Sequence, residues 1–148
     1  MVIFVVSGPS SVVKVFSFDG EFSGLPLAGN NGNTISAPPL ECRTPLYTAG
    51  SGETAIVQLN ATGSPTLQAN DVLYVIAAVW SGTIWDHPIH HDTAESLTDG
   101  MAHAGAVLAV PLTAGKPYVF GTAFASNNAL TISPGFCQGV VQIVKTAS

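Results

Sequence analysis

Asp71-Val-Leu-Tyr-Val-Ile-Ala-Ala-Val-Trp80 is the stretch that decides the fold. It holds no Gly and no Pro, carries a single charge, and is dominated by β-branched and aromatic side chains. Apolar residues fall on both parities, so the pattern predicts a strand buried on both faces. Strand-like segments flank it throughout the chain: Ser11–Phe18, Thr54–Leu59, Gly105–Val110, Pro117–Ala125, Ala129–Ile132 and Phe136–Val144. Turn chemistry separates the later ones, at Thr113-Ala-Gly-Lys, Ser126-Asn-Asn and Ser133-Pro-Gly. About eight strands at such spacing indicate an all-β protein, an antiparallel β-sandwich or a jelly-roll-like barrel. Apolar residues on both parities of Ser11–Phe18 extend the expectation of two-sided burial to that strand. The 15 Gly and 10 Pro interrupt helices, and only Thr93–His103 retains any helical prospect.

The 148 residues fit one domain, 1–148, with 1–40 as an N-terminal strand followed by a loop or extended arm. The tract from Asp19 to Pro39 is turn-rich and has no period. A loop of that length inside a compact domain tends to be functional. Its spaced apolar residues suit an arm laid across a neighbouring subunit, or a loop folded back on its own sandwich. The expected interface residues are Val2, Phe4 and Val6 of the N-terminal strand, with Phe22, Leu25, Leu27, Ile35 and Leu40 of the arm.

Charge is scarce. Only 9% of residues are Asp, Glu, Lys or Arg, where an ordinary soluble domain has roughly a quarter. Mean hydropathy is +0.40. Interface cores are depleted in Lys, Glu and Asp, so much of this surface is expected to face other protein. The net charge of −5 and four scattered Lys/Arg give no footprint for nucleic acid or an anionic membrane. The opening Met1–Val6 is apolar but lacks the features of a signal peptide, so Cys42 and Cys137 are expected to be reduced and buried. The Asn60-Ala-Thr62 glycosylation pattern is read as incidental for the same reason.

Chemistry-bearing residues concentrate in Trp85-Asp-His-Pro-Ile-His-His-Asp92. His87, His90, His91 and Asp92, with His103 further on, are residue types that hold zinc and other transition metals. Their spacing matches no helical His-Glu-x-x-His arrangement, and a polar loop or a pH-sensitive subunit contact is the alternative. There is no Gly-x-Ser-x-Gly elbow and no phosphate-cradling loop, so no enzyme and no cofactor are expected, a metal-dependent enzyme using the His87–Asp92 cluster being the second alternative.

Asn70–Trp80 resembles a strand of the small bacterial calcium-dependent galactose-binding lectins, and Asn127–Asn128 is similar to their paired asparagines. That resemblance implies a sugar site at Trp85, Asn127 and Asn128. The acidic calcium ligand before the pair is absent, since Phe120–Ser126 contains no carboxylate.

Thr98–Val110, with its Asp-Gly and small residues, and the arm Leu25–Pro39 resemble segments of tailed-phage head decoration, or cement, proteins. This resemblance implies a structural virion component forming homo-oligomers, commonly trimers, on a major capsid protein. Such a protein would be assembled in the host cytoplasm and carried on the capsid surface.

Overall fold

A computed structural model describes residues 10–29, 35, 37–65, 71–86, 93–97 and 102–146. Ten strands occur among them: β1 (Ser10–Phe22), β2 (Leu25–Leu27), β3 (Tyr47–Thr48), β4 (Glu53–Pro65), β5 (Asp71–Trp80), β6 (Trp85–Asp86), β7 (Thr93–Leu97), β8 (Ala102–Pro111), β9 (Pro117–Ser126) and β10 (Leu130–Thr146). One 3-10 turn spans Leu40–Cys42. The strands form two antiparallel sheets, one ordered β1-β10-β4-β8 and the other β3-β9-β5-β6, with β2 added to β10 and β7 added to β5. The successive strands β4, β5, β8, β9 and β10 do not stay in one sheet, because β5 and β9 lie opposite the other three. The protein is a β-sandwich of jelly-roll type.

β5 fills the expected Asp71–Trp80 range. Its even and odd positions meet different partners. Leu73, Val75, Ala77 and Val79 point between the sheets, where Phe120, Phe124, Leu59, Val141 and Ile132 pack against this row. Ile76 and Ala78 point to the opposite face and are also buried, with Ala123 and Ala125, under Ile35, Tyr74 and Trp85. An unbroken apolar run is what two covered faces require.

β1 differs from its expected two-sided burial. It is an edge strand whose inner face alone is covered, and Val12 (56%), Val13 (46%) and Val15 (53%) stay exposed. A β-bulge between Val12 and Lys14 shifts the register there. Beyond the bulge, Phe16, Phe18, Gly20 and Phe22 face inward opposite Val141, Gly139, Cys137 and Gly135 of β10. A β-carbon on Gly139 would run into the Phe18 ring, and one on Gly135 into Phe22. The glycines therefore leave the room that the edge strand's aromatic rings occupy.

Of the two readings of the tract after Phe18, the described part, through Leu27, follows the folded-back one. Asp19–Phe22 continue β1, and Leu25–Leu27 pair with Leu130–Ile132 of the same chain. Leu27 is buried, Phe22 stacks at 5.2 Å on Phe124, and Leu25 packs beside them. The tract supplied core residues at strand spacing, and the protomer's own sheet edge was the nearest place to bury them.

Three further expectations change. The segment with helical prospects forms β7 and the start of β8, both bound into sheets. Ser133-Pro-Gly makes no turn, since β10 runs through it with a register shift between Ile132 and Gly135. Cys42 and Cys137 form a disulfide rather than free thiols. Both sulfurs are buried where the 3-10 turn crosses the inner face of β1, over Gly20, whose missing side chain leaves space for Glu41. The bridge ties the strand-like segment beside β9 to the central strand of the other sheet.

Candidate functional site

The outer face of the β1-β10-β4-β8 sheet is built by strict alternation. In β10, Val141 and Ile143 are buried while Val140 and Gln142 are exposed, and β4 repeats the pattern with Val57 and Leu59 against Gln58 and Asn60. The pairing register sets these outward residues into rows. One row is Ser17, Val140, Gln58 and Val107, and the next is Val15, Gln142, Ile56 and Ala109. Val12 extends this end beside Val144. None of these residues is charged, and Val12, Val15, Val107 and Val140 are large exposed hydrophobics.

Toward the other end, the row Asp19, Gln138, Asn60 and Gly105 is polar, and Glu21, Phe136 and Thr62 follow it. Asp19, Asn60, Thr62, Phe136 and Gln138 surround an open depression of about 300 Å³, floored by Ala61 and Cys137. Asp19 and Glu21 are the acidic groups of this face among the described side chains, and both lie on the β1 edge.

On the other sheet, Arg43 bridges to Gly121 and sets its guanidinium 5.5 Å from the centre of the Trp85 ring. Its Nη2 donates to the Pro38 carbonyl at 2.6 Å, while the buried Nε has no partner. At the β3–β4 turn the buried Glu53 carboxylate accepts from the Tyr47 hydroxyl at 2.7 Å and from the Gly50 N–H at 2.8 Å. Burial, and then the hydrogen bond and charge of Glu53, push the Tyr47 phenol up to about 12.

The sequence candidates are distributed as follows. Val2, Phe4, Val6, His87, His90, His91 and Asp92 lie outside the described residues. The backbone of His103 sits in β8 opposite Thr62. Among the described residues no three His, Cys, Asp or Glu side chains group as a metal site. Leu40 alone of the described interface candidates is fully exposed, at 76%. Phe22, Leu25, Leu27 and Ile35 pack within the protomer.

The lectin-like trio is not brought together. Trp85 pairs with Trp80 at one end of β5, whereas the Asn127 side chain accepts from the Val72 N–H near the other end. Eight residues of strand separate them, about 26 Å. The polar cluster Asp19, Asn60 and Gln138 escaped sequence reading because its members come from three strands. The alternation Phe136-x-Gln138-x-Val140-x-Gln142 was the available signal for an uncharged outward face.

No family model matches the chain, and the comparison with curated proteins returns no match. Among solved structures, the chain is similar to Eiger TNF from S. frugiperda, with 11% identity and a TM-score of 0.49 over 91% of this chain and 96% of that one.

Proposed function

We propose that this protein is a non-catalytic structural subunit that works by docking onto other protein, first of all onto copies of itself. The observation that carries this reading is the uncharged valine-rich half of the β1-β10-β4-β8 outer face. A surface that meets its own copy cannot carry one sign of charge without repulsion, and these rows carry none. Val107 and Val140, 55% and 39% exposed in one row on either side of Gln58, offer apolar area that association would remove from water. Uncharged Gln58 between them and Gln142 in the next row can donate and accept across a symmetric contact without an ion to desolvate.

Three copies about one axis is the arrangement we favour. Decoration of a larger shell, such as a viral capsid built from a major capsid protein, is the finer form of the proposal. Its support is the scarcity of charge over the whole chain. A particle that leaves its host cell meets oxidising conditions, which suits the Cys42–Cys137 bridge.

The test is native mass measurement of the full chain beside V107K/V140K. Both positions are exposed, so the substitutions leave the core intact. The wild type is expected as an oligomer and the variant as a folded monomer. A monomeric wild type at high concentration, or a variant that assembles unchanged, would overturn the reading.

A further inference from the structure

We infer that the depression at the polar end of the same sheet face is a saccharide-binding subsite, taking one pyranose ring without a metal ion. Its volume, about 300 Å³, is at the lower end of small-molecule sites and suits a single ring. The lining chemistry has the two parts such a ring requires. A pyranose has an apolar face of C–H groups and a rim of hydroxyls, each of which both donates and accepts. Phe136, 36% exposed, lines one side of the depression and supplies an aromatic surface for the C–H groups. Across it stand Asp19, Asn60 and Gln138, one rung away along the strands.

Asp19 and Gln138 are directly paired across β1 and β10, and Gln138 and Asn60 across β10 and β4. Three adjacent strands therefore present carboxylate, amide and amide in a line, matched to the rim of a sugar. The carboxylate accepts from two neighbouring hydroxyls, and each amide donates and accepts at once. Gly105 continues the line on β8 and has no side chain, and the Asn60 amide lies over it, closing that end of the row. Among the described residues no Lys or Arg lines the depression, which disfavours a phosphate or a carboxylate ligand. The site is separate from the Trp85, Asn127 and Asn128 positions and independent of the valine-rich rows that carry the assembly proposal.

The experiment is a titration of the isotope-labelled full chain with a panel of methyl pyranosides (gluco, galacto, manno and N-acetylglucosamine), each with and without a chelator. Shifts at the backbone amides of Asn60, Phe136 and Gln138 are expected for at least one sugar, with a dissociation constant of about 1 mM, unchanged by the chelator. F136A and Q138A are each expected to weaken binding about tenfold, a loss of ~1.4 kcal/mol, with the thermal midpoint unchanged. Q138A is the informative variant if F136A disturbs the sheet. No shift at these amides with any member of the panel would overturn the proposal, as would binding abolished by the chelator. Neither result bears on the oligomeric mass of V107K/V140K, so the two proposals fail separately.

Discussion

Phe18 stands where the side chain of residue 139 would be: its ring covers the bare Cα of Gly139 on the paired strand. Phe22 and Gly135 repeat the relationship four residues further along each strand. Edge strand and central strand are thereby fitted as ring on glycine rather than as side chain beside side chain. A methyl group at 139 must displace the ring or the strand. G139A is therefore expected to lose about 1–3 kcal/mol, the usual cost of overpacking. Chemical denaturation checks this, and a midpoint equal to wild type would mean that the ring moves freely.

The Cys42–Cys137 bridge closes a long loop, with the cysteines 95 positions apart in sequence. Cross-links over such loops restrict the unfolded chain and typically contribute about 2–4 kcal/mol. Reduction, or the C42A/C137A double variant, is expected to lower the thermal midpoint by roughly 5–15 °C. Thiol titration of the unfolded, unreduced protein should find no free thiol. Two reactive thiols there would contradict the bridge.

Thr122 is fully buried between the sheets, and its hydroxyl has no hydrogen-bond partner. An unsatisfied buried hydroxyl is a cost that a methyl group of the same shape removes. T122V is expected to raise stability by about 1 kcal/mol. A loss of stability in urea titration would show that the hydroxyl has a bound-water partner.

Tyr47 gives the fold an alkaline limit. In the unfolded chain its phenol ionises near 10, whereas in the folded chain it holds its proton to about 12. Between those values the folded state binds more protons, so this contribution is complete below pH 10 and is lost as pH rises toward 12. Y47F should have a lower urea midpoint at neutral pH, because Glu53 loses a donor. The same variant should show less decline between pH 10 and 12 than wild type. Parallel curves for the two proteins would remove the assignment.

Much of the architecture is visible in single segments. Asp71–Trp80 announces a strand buried on both faces because its apolar residues ignore parity, and the structure covers both faces. Edges were harder. In Ser11–Phe18 the same disregard for parity suggested two-sided burial, yet Val12, Val13 and Val15 are exposed, and a bulge at Val13 breaks the count. A local pattern cannot reveal which strand lies outermost, since that is decided by pairing with residues more than a hundred positions away.

Long separation in sequence also hid the disulfide, the apposition of Phe18 with Gly139, and the Asp19–Gln138–Asn60 row. Each requires the register of β10 against β1 or β4. Ser133-Pro-Gly carries turn residues but lies in a bulge, because residues on both sides of it pair with β4.

β10 has a place in time as well as in space. It touches β1, β2 and β4, so before it is synthesised the first sheet consists of the β4–β8 ribbon alone. Ser10 waits for Thr146, and Cys42 remains a thiol until Cys137 leaves the ribosome. The valine-rich surface shares that schedule, since Val140 and Gln142 are its central members. A chain that has not yet reached β10 thus lacks the strand that joins β1 to β4 across the valine-rich face.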